Sequence, residues 1–248
     1  MKLRLDQLLV RRGLVESRER AQALIMAGQI DLDNRGAVKA GTMVSEHAEV
    51  RVIGPDHPWV SRGGVKLAHA LDTFALDVSG RLGLDIGAST GGFTDVLLSR
   101  GATRVIAVDV GHSQLHWKLR TDPRVTVIEG LNARHLTRAA LPDLGAGAGI
   151  VTVDVSFISL GLILPPLLEV LGPHADLIAL VKPQFEAGRR DAPGGVVKDP
   201  AVHQRVQNEV VAKAAAVGWT RQAVTPSPIV GAKGNREFLM HFTPGPRP

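Results

Sequence analysis

The sequence predicts an α/β protein in which a small α+β module precedes a doubly wound, largely parallel sheet. Two observations carry this prediction. From Ser61 onward, apolar runs of strand length alternate with segments of helical periodicity, and repeated βα units of this kind build parallel sheets. Residues 1–53 instead combine two helical patterns with short alternating strands. We therefore place one domain at 1–53, a linker at 54–60 and a second domain at 61–248.

The first domain begins with two helical patterns. One stops at Gly13, a residue type that favours helix C-termini, and the next starts behind the potential cap Ser17. Alternating strands follow at residues 30–33 and 49–52, with a turn at residues 34–36 between them. Two helices and a small sheet give a marginal core, so we expect this domain to depend on a neighbour or a ligand.

The second domain opens with a helix at residues 65–74, after a linker that two prolines stiffen. Trp59 in this linker either docks the two domains together or only packs locally. Strands are expected near residues 81–86, 104–109, 124–129, 149–154, 176–181, 220–225 and 237–242. The last of these, inserted antiparallel, would complete a seven-stranded sheet.

A glycine-rich loop follows the first of these strands. Asp85 ends an apolar run, and the pattern Asp85-x-Gly87-x-x-x-Gly91-Gly92 leads into a helix start at Phe93. Glycine lets the backbone approach a ligand that a side chain would exclude. The spacing differs from the Gly-x-Gly-x-x-Gly pattern that holds a dinucleotide pyrophosphate. A cationic ligand without phosphate fits better, which favours S-adenosylmethionine; the alternative is an ordinary βα turn with a helix-capping acid.

The next apolar run ends in Asp109, which is placed to accept hydrogen bonds from ribose hydroxyls. The predicted cofactor-binding residues are Asp85, Gly87, Ser89, Thr90, Gly91, Gly92, Phe93, Asp109, Val110, Asn132 and Asp154.

Composition bounds the partners and the chemistry. The net charge of +5 and the pI near 10.0 favour a polyanionic partner, although mere solvation remains open. Residues 1–20 hold six basic and three acidic side chains. Aromatic residues make up only 4% of the chain, which weakens any model based on stacking many bases. The candidate phosphate contacts are Arg4, Arg18 and Arg20 near the N-terminus and, in a later loop, Arg189 and Arg190.

The absence of cysteine excludes disulfides, thiolate zinc sites and cysteine nucleophiles, and it fits a reducing cytoplasm. The nine histidines form no obvious metal cluster, so no metal is expected. The charged N-terminus does not resemble a signal peptide. The most apolar segment, residues 158–172, contains two prolines and Glu169 and is too short to span a bilayer. We expect a soluble cytoplasmic protein; the sequence gives no oligomeric state.

In doubly wound sheets, ligands bind beyond the carboxyl ends of the strands. Asp85, Asp109, Asp154 and Lys182 all stand at predicted strand ends, so we expect them at one crevice. A lysine at the end of an apolar strand is unusual, and a neutral lysine could accept a proton from a ribose hydroxyl. The alternative is a strand-end lysine that simply reaches solvent.

The first 50 residues contain the pattern Arg4-Leu5-Asp6, Leu8, Leu9, Gly13-Leu14, Ser17-Arg18, Ala21, Leu24-Ile25 and Gly28. This pattern resembles the S-four RNA-binding domain, named after a small-subunit ribosomal protein. The resemblance implies an RNA partner for this domain.

The order Lys66, Asp154, Lys182, Glu237 resembles the catalytic tetrad of the FtsJ-like RNA 2′-O-methyltransferases. With the first domain, the whole chain resembles the TlyA family of haemolysin-named rRNA 2′-O-methyltransferases. The supporting strings are Ser61-Arg62-Gly63-Gly64-x-Lys66-Leu67, Asp85 to Phe93, Asp154-x-Ser156-Phe157-Ile158-Ser159-Leu160, Val181-Lys182-Pro183-Gln184-Phe185-Glu186 and Gly194-Gly195-Val196-Val197.

This resemblance implies a Rossmann-like, seven-stranded methyltransferase sheet, S-adenosylmethionine as the cofactor, and cytidine 2′-O-methylation in the RNA of one or both ribosomal subunits. Lys182 would take or orient the hydroxyl proton, Asp154 and Lys66 would tune its charge, and Glu237 would hold Lys66 or the ribose. Gly64-Val65 and the linker depart from the family pattern, but they leave the tetrad unchanged.

The sequence leaves one other function open and disfavours two. A non-catalytic ribosome assembly factor would bind RNA without turning over a cofactor. Direct membrane lysis is disfavoured, because no spanning or strongly amphipathic segment is present. Pseudouridine synthases also carry S-four domains, but Gly83 follows Arg81-Leu82 where their signature requires a catalytic aspartate.

Overall fold

The computed structural model describes residues 2–15, 17–26, 28–33, 39–52, 57–142, 144–188 and 190–245. The chain divides into two compact units, Met1–Pro58 and Trp59–Pro248. The helices are α1 Leu5–Arg11, α2 Arg18–Met26, α3 Gly63–Thr73, α4 Gly92–Ser99, α5 Trp117–Arg120, α6 Leu164–Val170, α7 Pro183–Glu186 and α8 Pro200–Ala216. The strands are β1 Lys2–Arg4, β2 Ile30–Leu32, β3 Met43–Ser45, β4 Val50–Val52, β5 Leu82–Ile86, β6 Arg104–Asp109, β7 Val125–Glu129, β8 Ala148–Val153, β9 Leu171–Val181, β10 Trp219–Pro226 and β11 Phe238–Pro244.

The N-terminal unit contains α1, α2 and two small antiparallel sheets, β1 with β3 and β2 with β4. Gly13 follows α1 in the left-handed region at φ 67°, and the Arg20 amide donates to Ser17 Oγ over 3.1 Å, so both predicted helix ends are confirmed. The pattern missed β1 and β3, since three residues are too few to show alternation. The turn predicted at 34–36 lies outside the described residues.

A buried carboxylate organises this unit. Asp6 is fully buried, and it accepts two hydrogen bonds of 3.0 Å from the Arg4 guanidinium. Its Oδ2 also accepts from Arg18 at 3.4 Å and from Gln22 at 3.0 Å. The hydrogen bonds from Arg4 hold the pKa of Asp6 well below its usual range, although burial opposes them. One acid thus ties β1 to α1 and α2.

The C-terminal unit is a seven-stranded sheet in the order β10-β11-β9-β8-β5-β6-β7. Strands β5 to β9 run parallel, and β11 runs antiparallel to both β9 and β10. The predicted antiparallel insertion is therefore confirmed. Alternate residues along β9 pack into two separate apolar clusters, so helices cover both faces. No helix among the described residues is both long and apolar enough to cross a membrane.

The strand order reverses between β5 and β8, because the chain adds β6 and β7 on one side of β5 and then crosses to the other. A crevice forms at such a switch point, outside the carboxyl ends of the strands. Since β11 is antiparallel and pairs Phe238 with Val181, its first residues also lie at this edge. The topology therefore places the residue before β11, Glu237, next to the strand end that carries Lys182.

Helix α3 begins at Gly63, two residues before the predicted start. The ring of Trp59 lies against Gly64, where an added Cβ would stand 2.4 Å from the ring carbon Cγ. Trp59 thus packs locally within its own unit, which is one of the two roles expected for it. Glycine is needed at position 64 because the indole occupies the space of a side chain.

We expect Asp6→Asn to loosen the N-terminal unit, because an amide cannot accept all of these charged donors. The loss should be on the order of 2 kcal/mol, since hydrogen bonds to charged groups are worth about 1.5–3 kcal/mol. Hydrogen exchange of the α1 and α2 amides in the full chain measures it. Asp31→Asn removes a charge from the same unit and is the control. Equal protection in the two variants would show that Asp6 does not organise the unit.

Candidate active site

Two adjoining cavities open at the carboxyl edge of the sheet. The larger has a volume of about 660 Å³, within the range of small-molecule sites, and the smaller one of about 480 Å³. Both are lined by Gly87, Ser89, Asp154 and Ser156, which form their common wall. Of the other predicted residues, Asp109, Val110 and Asn132 line the larger cavity, and Lys66, Thr90, Gly92, Phe93 and Lys182 line the smaller one.

Backbone atoms approach each other closely in the common wall of the two cavities and in the loop beside it. An added Cβ on Gly87, which has φ 82°, would stand 2.5 Å from the Asp154 carbonyl oxygen. An added Cβ on Gly92 would stand 2.3 Å from Ser61 Oγ. Both positions leave no room for a side chain, as the glycine pattern predicted.

Asp109 lies at the end of β6 and fixes the loop. Its two carboxylate oxygens accept from the amides of Ser89 and Gly111, each over 2.7 Å. Ser89 sits in the left-handed region at φ 47°, a conformation that costs about 1 kcal/mol for a non-glycine residue. The carboxylate therefore holds a strained loop while it lines the larger cavity, where its remaining lone pairs can accept hydroxyl donors.

Two of the predicted cofactor contacts line neither cavity. Asp85 is fully buried beneath the loop, where its carboxylate accepts from Thr94 Oγ1 at 2.7 Å and Thr152 Oγ1 at 2.8 Å. Gly91 has φ 95°, and an added Cβ would stand 2.2 Å from Leu119 Cδ1. Both residues support the loop from behind, and their direct contact with a ligand stays a prediction.

The tetrad residues assemble as two lysine–carboxylate pairs. Lys66 Nζ lies 2.5 Å from Glu237 Oε2, and Lys182 Nζ lies 2.6 Å from Asp154 Oδ1. Lys182 also donates to Ser156 Oγ over 2.9 Å. Three of the four residues line the smaller cavity, whereas Glu237 is buried behind Lys66. An added Cβ on Gly231 would stand 2.0 Å from Glu237 Oε1, so the backbone closes over this carboxylate.

Asp154 Oδ1 is buried and close to Lys182, but it has no partner in hydrogen-bond geometry within the described part of the chain. The charge of this oxygen is compensated by the Lys182 ammonium 2.6 Å away. Asp154 also lines both cavities, so it brings negative charge to the place where they meet.

Sequence reasoning gave no role to Ser156 and Phe157, although both belong to a motif quoted for the family resemblance. Phe157 is 90% exposed with φ 65°, and its ring lies 5.0 Å from that of Phe185. Ser156 matters because it shares the Lys182 ammonium with Asp154. Nothing in the residue types alone marks a serine as a partner of a lysine 26 residues away.

The candidate RNA contacts lie outside these cavities. Arg4 and Arg18 both bind Asp6, but their side chains remain 42% and 50% exposed. Arg20 and Arg190 are exposed, and Arg189 lies outside the described residues. Their contact with RNA stays a prediction.

Burial raises the pKa of Asp85 from 3.8 to about 6, and the two threonine hydroxyls offset part of the rise. Between these values the folded chain binds the proton more tightly than the unfolded chain. The stability from neutral Asp85 is thus present below pH 3.8 and lost as the pH rises through about 6, by on the order of 3 kcal/mol.

We expect Asp85→Asn, which stays neutral, to gain stability relative to the wild type as the pH rises from 4 to above 6. Urea unfolding followed by tryptophan fluorescence measures this difference, because all three tryptophans lie in the C-terminal unit. Asp72→Asn, at an exposed position, is the control. A difference between Asp85→Asn and wild type that does not vary with pH would contradict a buried, protonated Asp85.

Comparison with known proteins finds a family model that matches each of the two units. The family model described as FtsJ-like methyltransferase matches residues 59–243, and the S4 domain model matches residues 3–50. The 16S/23S rRNA (cytidine-2′-O)-methyltransferase TlyA of Mycobacterium tuberculosis is 48% identical over 96% of this chain and 88% of that protein. Hemolysin A of Brachyspira hyodysenteriae is 39% identical over 97% of this chain and 99% of that protein.

A solved structure from Streptococcus thermophilus, named as a hemolysin, is 43% identical and superposes with a TM-score of 0.79 over 100% of this chain and 90% of that one. The methyltransferase model spans the sheet, both cavities and the four tetrad residues. The chain therefore belongs to the FtsJ-like methyltransferases, in the branch that carries an N-terminal S4 domain and includes TlyA.

Proposed function

We propose that this chain transfers a methyl group from S-adenosylmethionine to the 2′-hydroxyl of a cytidine in ribosomal RNA. The observation that carries the proposal is the pair of lysine–carboxylate contacts beside the wall shared by two cavities. Cytidine as the target base and ribosomal RNA as the substrate are inferred from the activities for which relatives are named. The M. tuberculosis relative is named for both rRNAs, and a Campylobacter jejuni relative, 34% identical over 74% of this chain, is named for 23S rRNA.

The larger cavity fits the cofactor. Asp109 offers carboxylate lone pairs to ribose hydroxyls, and Val110 and Asn132 line the same wall. Asp154 lines the same cavity and supplies negative charge for a cationic ligand. When bound, S-adenosylmethionine supplies an electrophilic methyl group on a sulfonium.

The smaller cavity would receive the ribose. Lys182 Nζ, held by Asp154 and Ser156, orients the 2′-hydroxyl as an ammonium or, in its neutral form, takes the hydroxyl proton. The ion pair of Lys66 with Glu237 keeps a second ammonium at the cavity, where it stabilises negative charge that develops on the ribose oxygen. Much of the acceleration comes from holding the two reactants in contact where the cavities meet, since good orientation alone is worth several kcal/mol.

The S4 unit would supply affinity for the ribosome rather than chemistry. Arginine contacts to phosphates are independent of sequence and sensitive to salt. Arg4, Arg18 and Arg20 are the candidate phosphate contacts of the S4 unit. Arg189 and Arg190 are further candidates, in a loop of the C-terminal unit.

We expect Lys182→Ala to keep the fold and the binding of cofactor and ribosome but to lose 10²- to 10⁴-fold in methylation rate, the usual cost of removing a general base. Lys182→Arg separates proton transfer from charge, because arginine stays protonated near neutral pH. It should be nearly as inactive as alanine. Single-turnover methylation of purified ribosomal subunits measures both variants, with the exposed Lys198→Ala as the control for charge.

Wild-type rates in Lys182→Ala and Lys182→Arg would remove this lysine from the reaction. RNA binding without any methylation by the wild type would instead favour the non-catalytic assembly factor.

We expect calorimetry to detect binding of S-adenosylmethionine and negligible binding of NAD. Asp109→Ala should weaken the former about tenfold, because each buried hydrogen bond to a charged group contributes about 1.5 kcal/mol or more. Asp122→Ala, which removes an acid outside both cavities, is the control. Equal affinity of the wild type for NAD would contradict this cofactor assignment.

A further inference from the structure

The segment from Asp154 to Leu160, here named the wall loop, carries part of the common wall of the two cavities. At its centre Phe157 is a non-glycine residue in the left-handed region, with φ 65°. Such a conformation costs on the order of 1 kcal/mol and persists only when the surrounding structure imposes it. Phe157 is 90% exposed, and its ring meets that of Phe185 at 5.0 Å. The hydrogen bonds and ion pairs that restrain the backbone lie at the two ends of the loop.

Lys182 holds the first end, through its contacts with Asp154 and Ser156. Glu186 holds the second end. Its Oε2 accepts from Ser159 Oγ over 2.6 Å, and its Oε1 accepts from the Leu160 amide over 2.7 Å. Two distinct oxygens are thus committed to two successive residues, which fixes both the position and the direction of the backbone.

Both holding residues belong to one short segment. Lys182 directly follows β9, and Glu186 is the last residue of the single turn α7 that comes next. Pro183 begins this turn, and its fixed φ is suited to the first position of a helix. The distance between Lys182 and Glu186, the two residues that hold the wall loop, is therefore set by one rigid helical turn.

The Glu186 side chain is only 2% exposed, so it is a nearly buried charge that needs compensation. Besides the two wall-loop donors, Lys213 of α8 places its Nζ 3.4 Å from Glu186 Oε2 and 3.4 Å from Ser159 Oγ. Helix α8 thus supports the contact between Glu186 and Ser159 from outside the cavities. The Ser159 hydroxyl and the Leu160 amide, which compensate the charge of Glu186, are also the groups that Glu186 holds in place.

We propose that Glu186 is a positioning residue for methyl transfer: it fixes the far end of the wall loop, so that Asp154 and Ser156 stay against Lys182. Its place in the reaction rests on the function proposed above. Glu186 lines neither cavity and touches no reactant, so it acts through the loop.

The test uses the full chain with Glu186→Ala, Glu186→Gln and Ser159→Ala, and with the exposed Glu209→Ala of α8 as the matched control. In Glu186→Ala, amides of the wall loop should exchange at least about tenfold faster while β8 and β9 stay protected. The kcat for methylation of purified ribosomal subunits should fall by about 10- to 100-fold, because small misplacements of reacting groups have effects of that size. The KM for the subunits and the Kd for S-adenosylmethionine should each change by less than about threefold, since Glu186 lines neither cavity.

Glu186→Gln keeps the shape and an acceptor for the Leu160 amide, so it should restore most of the kcat. Ser159→Ala removes one of the two bonds with little change in volume, and it should shift exchange and kcat in the same direction but less. This variant keeps the proposal testable even where Glu186→Ala does not fold.

Wild-type exchange in the wall loop of Glu186→Ala would overturn the proposal, and so would faster exchange with unchanged kcat. Loss of kcat in Glu186→Gln equal to that in Glu186→Ala would also overturn it. A wild-type chain that methylates no RNA would instead overturn the proposed function alone, because loop exchange and cofactor affinity still compare the variants.

Discussion

Two lysine side chains point to one cavity at the edge of one sheet, and each lies within 2.6 Å of a carboxylate from a different segment. Ammonium groups that are nearly buried need such partners, because an unpaired buried charge is costly. Two strands of the C-terminal unit supply these carboxylates. Parallel strand β8 delivers Asp154 at its end, and antiparallel β11 delivers Glu237 at its beginning. Without that one reversed strand, Glu237 would stand at the opposite edge of the sheet.

The same edge shows what glycine contributes. Gly87 and Gly231 stand where an added Cβ would meet the Asp154 carbonyl and the Glu237 carboxylate. Of these two positions, only at Gly231 does main chain pack directly on a charged group of the tetrad, where it excludes water and strengthens the contact of Glu237 with Lys66. Gly87 instead lets the glycine-rich loop lie against the backbone of Asp154.

The sequence alone predicted the large strands, because buried parallel strands appear as apolar runs whose ends mark one edge, but it gave no order for them in the sheet. It did not predict which way a strand-end side chain points. Asp85 and Asp109 end neighbouring strands with similar patterns, yet Asp85 turns down onto Thr94 and Thr152 while Asp109 lines a cavity. The pairing of Lys66 with Glu237 spans 171 residues, a separation over which local patterns carry no information. The tetrad was found through resemblance, and the role of each member remains a prediction.

Gly87, Ser89, Asp154 and Ser156 line both cavities, so the two cavities meet at these residues. Ligands that contact the same residues are thermodynamically linked. If one ligand shifts the free energy of a given arrangement of these residues, the affinity for the other ligand changes by the same factor, and the effect is reciprocal. Any such coupling at this edge would pass through shared residues rather than through a distant conformational relay.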